Sequence, residues 1–111
     1  MTVTFKTCKL FEKTLSKADQ QIKKKLKDFI NWKKEHPIEK FGSSDYPFKA
    51  GHLAGYSHAK LSFDISIIYR YKDSVFYLYG VFSHDESGTG QPSNINRQAS
   101  LLTKFKNQEF A

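Results

Sequence analysis

The chain has 111 residues, of which 39% are hydrophobic and 15% aromatic; that is too apolar for a disordered polymer and suits one folded domain spanning residues 1–111. Eighteen Lys and Arg against eleven Asp and Glu give a net charge of +7 and a pI near 9.5, which points to a polyanionic partner, nucleic acid or an acidic protein. One cysteine, Cys8, excludes an internal disulfide framework and fits a reducing compartment, and with no apolar run of about 18 residues and no visible signal peptide the secreted and membrane-spanning classes are set aside.

Val3, Phe5 and Thr7 alternate with polar residues and predict a short strand over residues 2–8. Leu10, Phe11 and Leu15 suggest a short helix. Ser16 is placed to cap a longer one, with Asp19 three residues on as the partner of a capping box. Its apolar stripe is Ile22, Leu26, Phe29, Ile30 and Trp32, while Lys23, Lys24, Lys25, Lys27, Lys33 and Lys34 fall largely off it. His36 and Pro37 end the helix, because proline disfavours helical backbone at the residue before it. Residues 1–40 carry eleven Lys against five acids, so any electrostatic footprint starts here.

Residues 38–51, with Pro47, two Gly and Ser43-Ser44-Asp45, read as a loop. Residues 57–60 suit a strand of their own. Leu61, Phe63, Ile65, Ile67 and Tyr69 then alternate with Ser62, Asp64, Ser66, Ile68 and Arg70 as a half-buried strand, and Lys72-Asp73-Ser74 is a turn. Residues 75–82 are apolar on both faces and predict a central strand, paired to the preceding one as a hairpin. Residues 83–93 are polar and read as a loop. Ser93 or Asn94 caps a last helix, whose apolar face is Ile95, Ala99, Leu101, Leu102 and Phe105. The order β-α-α-β-β-β-α predicts an α+β fold: an N-terminal strand and helical hairpin, then an antiparallel meander and a C-terminal helix.

No pair among His36, His52, His58 and His84 has metal-ligand spacing, and Cys8 stands alone, so no metal site is expected. Gly88-Thr89-Gly90 lacks the third glycine and the βαβ unit of a dinucleotide loop, and no cofactor is expected. His84 follows the most apolar strand, placed by rigid structure yet open to solvent, and imidazole titrates where proton transfer near neutral pH needs it. With the turn at residues 72–74, Asp64 falls opposite residues 81–83, and His58 and Lys60 enter the same end of the sheet. Such a cluster can activate a 2′-hydroxyl, stabilise a phosphorane-like transition state and protonate a leaving 5′-oxygen. The plain alternative is a surface histidine, a solvated strand aspartate and a solvated lysine face.

The order of elements resembles the RelE/ParE superfamily of bacterial toxins. The stretch Pro47-Phe48-Lys49-Ala50-Gly51-His52-Leu53-Ala54-Gly55-Tyr56 is similar to that family's hydrophobic, basic and small run before Leu-x-Gly-aromatic. Asp64-Ile65-Ser66-Ile67-Ile68-Tyr69-Arg70-Tyr71 is similar to its next strand, and Tyr77-Leu78-Tyr79-Gly80-Val81-Phe82-Ser83-His84 to its last, where a glycine precedes a His or Arg. The resemblance covers roughly residues 2–85 and lies nearest the YafQ-like messenger-RNA interferases. It implies a RelE-like fold, a bacterial cytoplasmic toxin held inactive by a cognate antitoxin, and cleavage of messenger RNA in the ribosomal A site. His84 and Asp64 sit where that subgroup carries a catalytic His and Asp, with His58 and Lys60 at its basic or acidic positions. Substrate contacts are expected from Arg70, Arg97, Lys49 and His52, with Phe82 stacking a base.

Two departures stand out. Ser66 occupies the place where many members carry a catalytic Arg, which leaves Lys60, Arg70 or Arg97 to stabilise the phosphate. A helical extension follows from about residue 94. The missing Arg keeps open a non-nucleolytic, gyrase-directed toxin of the same fold, or a basic RNA-binding module without activity.

Overall fold

The computed structural model describes residues 2–49, 51–87 and 95–111. Strand β1 (Thr4–Thr7) leads into α1 (Lys9–Ser16) and α2 (Gln20–Glu35); β2 (Asp45–Pro47), β3 (Ser57–Lys60), β4 (Ile65–Lys72) and β5 (Val75–Ser83) follow, then a short helix α3 (His84–Ser87) and α4 (Ile95–Lys106). The sheet order is β1-β5-β4-β3-β2. The four later strands pair antiparallel, as expected, but β1 runs parallel to β5, with Thr4 opposite Val75 and Thr7 opposite Leu78. The sheet is therefore mixed: the chain leaves β1, crosses one face through α1 and α2, and returns to the same edge only with its last strand.

Local chemistry sets the helix ends. Ser16 closes α1, its hydroxyl donating to the Lys13 carbonyl at 2.7 Å. The cap of α2 is Asp19, whose carboxylate accepts from the Ile22 amide at 2.9 Å. A cap must sit immediately before the first helical residue and reach the third amide, which Asp19 does and Ser16 cannot; the bond is worth about 1 kcal/mol. At the start of α1, Cys8 offers no side-chain cap, and the Gln108 amide oxygen supplies one from the far end of the chain, 3.2 Å from the Leu10 amide.

Ile22, Leu26 and Phe29 are buried on α2 against Phe11, Ala59, Ile67, Tyr69, Phe76 and Leu78. The stripe continues one turn further to Lys33, not out to Trp32: Lys33 is 3% exposed, whereas Trp32 is 37% exposed and stacks on His36. The Lys33 ammonium meets the Asp45 carboxylate at 2.7 Å and the Glu39 carbonyl at 2.6 Å. The second Asp45 oxygen accepts from the Tyr69 hydroxyl at 2.5 Å, and the Phe41 amide donates to the first at 2.9 Å. Asp45 belongs to β2, an edge strand where the sequence reads as loop; Pro47 and the exposed Tyr46 suit such an edge.

The opposite face of the sheet carries a second core. Leu101 and Phe105 of α4 pack on Tyr56, Ile68, Tyr79 and Phe82, with the wholly buried Leu53 beneath the preceding loop. The β4–β5 connection is a two-residue turn at Asp73 and Ser74, both at positive φ (53° and 64°), the geometry that matches strand twist in a tight hairpin. One irregularity between Ile68 and Tyr69 leaves Tyr79 as the extra residue of β5. The expected long strand from Leu61 breaks: the Leu61 and Ser62 amides both donate to the Ile65 carbonyl, making residues 61–64 the turn between β3 and β4, with Phe63 91% exposed. The proposed caps Ser93 and Asn94 and the Gly88-Thr89-Gly90 stretch lie outside the described residues.

Candidate active site

The tight turn and the antiparallel register place Ile65 opposite Ser83, so Asp64 and His84 meet where β5 ends. The His84 amide donates to the Asp64 carbonyl at 3.0 Å and also points at its carboxylate, 3.3 Å away. The imidazole Nδ1 lies 3.8 Å from the same carboxylate oxygen, both side chains reaching solvent. His84 is not in a loop. It opens α3, which is fastened by a reciprocal cap: the Glu86 amide donates to the Ser83 hydroxyl at 3.1 Å and the Ser83 amide to the Glu86 carboxylate at 3.0 Å. The Ser-x-x-Glu spacing at residues 83–86 is visible in the sequence and marks a helix start, although the polarity of the stretch reads first as loop.

His58 and Lys60 project from β3 on one face, opposite Ile68 and Ser66 of β4. Burial pushes the His58 imidazole below its ordinary 6.5; the Asp45 charge works against this, and the charges of His84 and Lys60 reinforce it. His58 therefore lies within electrostatic reach of both, and it is neutral and a proton acceptor at pH 7. Its ring rests against Phe48, centroids 4.5 Å apart. The exposed Lys60 ammonium sits 5.8 Å from the centre of the Phe63 ring. His84, Asp64, His58 and Lys60 thus gather at one end of the sheet: a carboxylate-supported imidazole, a neutral imidazole and an exposed ammonium. That set can take a proton from a hydroxyl, offset developing charge on a phosphate and return a proton.

The remaining expected contacts scatter. Phe82 is 4% exposed and packs on Phe105 at 6.0 Å, because α4 covers that strand; it has no face left for a base. The exposed ring at this end is Phe63, which strand periodicity alone would have placed inside. Arg70 lies five residues along β4 from Ile65, about 17 Å at the usual strand rise. It stacks over Tyr56 at 5.2 Å, and its charge acts on the Tyr79 hydroxyl, away from His84. Lys49 and His52 are exposed on the loop before β3. Arg97 is exposed in the first turn of α4, beside Gln98, whose amide oxygen lies so near Gly51 that a Cβ there would meet it at 2.9 Å. Ser66 is buried, and its hydroxyl has no hydrogen-bond partner among the described residues. Of the cations expected to replace the missing Arg, Lys60 is the one whose charge reaches His58 together with that of His84. Among the described residues no cluster of His, Cys, Asp or Glu could hold a metal ion, and no helix is long and apolar enough to cross a membrane.

The His58 shift has a consequence for stability. Above pH 6.5 both folded and unfolded chains hold His58 neutral. As pH falls through 6.5, the unfolded chain takes up a proton before the folded one, and the folded state loses stability down to the lowered folded value. Melting temperatures measured from pH 7.5 to 5 should fall more steeply for the parent than for His58→Gln.

No protein-family model matches the sequence, and no curated protein matches it. Solved structures do. A chain of the DinJ–YafQ toxin–antitoxin complex from E. coli aligns with a TM-score of 0.63 at 17% identity, covering 76% of this chain and 94% of that one. YafQ from E. coli gives 0.61 at 18% identity, over 73% and 92%. The YoeB/ParE toxin from Agrobacterium tumefaciens gives 0.55 at 19% identity, over 76% and 99%. The chain has the RelE-like fold of these toxins, and about a quarter of it lies outside each match.

Proposed function

We propose that this chain is the toxin of a type II toxin–antitoxin pair and that it cleaves messenger RNA on the ribosome. The observation that carries the reading is the His84–Asp64 contact, fixed by the bond of the His84 amide to the Asp64 carbonyl and joined at one sheet end by Lys60 and a neutral His58. His58 accepts the proton of the RNA 2′-hydroxyl, which attacks the adjacent phosphorus and breaks its bond to the 5′-oxygen. Lys60 offsets the charge of the phosphorane. His84, supported by Asp64, returns a proton to the leaving 5′-oxygen, and Phe63 offers its exposed ring to a base.

The lysines exposed on α2 (Lys24, Lys25, Lys27 and Lys34) dock on ribosomal RNA through counterion release, so affinity falls steeply with salt. The antitoxin is an acidic segment that orders as it covers the sheet end; one of the similar solved structures is a toxin–antitoxin complex. The test is primer extension on messenger RNA after a short pulse of expression. Discrete, in-frame cuts are expected, and purified RNA without ribosomes should stay whole. Growth arrest with intact messenger RNA would reject the nuclease reading in favour of a gyrase-directed toxin, and no arrest would reject the toxin reading as well.

A further inference from the structure

A concave site lies at the other end of the sheet face that α4 partly covers. It is a cleft of about 360 Å³ between the end of α4, the C-terminal tail and strands β4 and β5. This volume is at the small end of ligand pockets. Three cations line it, Arg70, Lys72 and Lys106, and no carboxylate does. Arg70 is held by its stack on Tyr56, while Lys72 and Lys106 are exposed and have no partner among the described residues. The wall is aromatic: Tyr77 is half-buried, and the Phe110 ring meets it edge-on at 5.2 Å. Phe110 itself is pinned because the tail pairs with β1, the Ala111 amide donating to the Thr7 carbonyl at 3.1 Å and the Thr7 amide to the Ala111 carbonyl at 3.3 Å.

Unopposed cations beside a fixed aromatic ring are the two parts of a single-stranded nucleic-acid subsite: charge for the phosphate and a flat apolar face for the base. An acidic peptide would use the cations and leave the ring idle. We propose that this cleft binds one nucleotide of a single-stranded RNA, its phosphate between Arg70, Lys72 and Lys106 and its base on Tyr77. The site rests on the reading of the chain as an RNA-cleaving toxin and adds a holding point about 17 Å along β4 from the level of His84. The segment after α3 closes one side of it with Phe105, Lys106, Gln108 and Phe110, so the C-terminal extension helps keep the RNA strand on the sheet while the His84 end reacts.

The experiment is fluorescence anisotropy with a labelled hexauridylate, without ribosomes, using the full-length chain with His84→Ala. Lys72→Ala with Lys106→Ala should weaken binding at least tenfold at low salt. It should also lower the slope of log affinity against log salt by about 1.4, two phosphate contacts at roughly 0.7 each. Tyr77→Leu should weaken binding about tenfold with the slope unchanged, because stacking carries no counterions. Unchanged affinity and slope in the double-lysine variant would overturn the site, as would equal competition by a hexaglutamate peptide. Cleavage by the parent with His84 restored is scored separately. A parent that binds through Lys72 and Lys106 yet cuts nothing upholds this site and rejects the nuclease; a parent that cuts while the lysine variant binds unchanged does the reverse.

Discussion

His84→Ala should lower the rate of cutting on programmed ribosomes by about 10²- to 10⁴-fold, the usual contribution of a positioned general acid or base. The loss should appear in the rate at saturating ribosomes, with affinity nearly unchanged, since the lysines of α2 are untouched. The variant should also fold normally. The bond that joins the two turns runs from the His84 backbone amide to the Asp64 carbonyl, and the Ser83–Glu86 cap holds α3 without the imidazole. A side chain 38% exposed leaves no large cavity on truncation. Asp64→Asn separates support from chemistry: it keeps an oxygen facing the His84 amide but removes the negative charge beside the ring, so its loss should be smaller. Full-rate cutting by His84→Ala, with an unchanged circular dichroism spectrum, would move the reaction away from this end of the sheet.

Much of this site is legible in the sequence because local rules fix it. The turn residues Lys72-Asp73-Ser74 set the hairpin register, and register alone brings Asp64 to His84. The failures come from tertiary contacts that no window of sequence contains. Phe82 looks like an available ring until α4, 19 or more residues later in the chain, packs Leu101 and Phe105 over its strand. Arg70 looks like a replacement for the missing cation until the sheet carries it five residues away from the centre. Alternation from Leu61 to Tyr69 suggests one strand because apolar residues recur at every second position. The turn at residues 61–64 breaks it by satisfying two amides with a single carbonyl. β1 reads as part of an antiparallel sheet because short strands near helices give no sign of which edge they will join. Lys33 misleads most: its position on the stripe of Ile22, Leu26 and Phe29 is plain, and only its charge suggests the solvent side.

That misplaced lysine carries the largest stability effect expected here. Asp45→Ala should cost about 3–5 kcal/mol, the range for removing one partner of a buried ion pair. The Lys33 ammonium would keep the Glu39 carbonyl and the nearby rings of Phe29 and Tyr69, at 5.8 and 5.7 Å, but no anion. The Tyr69 hydroxyl, held protonated by burial and then by its bond to Asp45, would lose its acceptor, and the Phe41 amide would lose one too. Lys33→Met alone leaves the converse orphan, a buried carboxylate, and should cost a similar amount. The double variant Lys33→Met with Asp45→Asn removes both charges and leaves an amide oxygen for Tyr69, so it should be far more stable than the sum of Lys33→Met and Asp45→Asn, measured singly, predicts. Urea melts of the four proteins decide it, and additive costs would mean the pair is not coupled as its 2.7 Å contact requires. The same substitution reaches the site. Asp45 pairs with Ala59, next to His58, and its charge is what raises the His58 pKa against burial. With Asp45 neutralised, His58 should titrate still lower, and the acid limb of the cleavage profile should move to lower pH while its plateau holds.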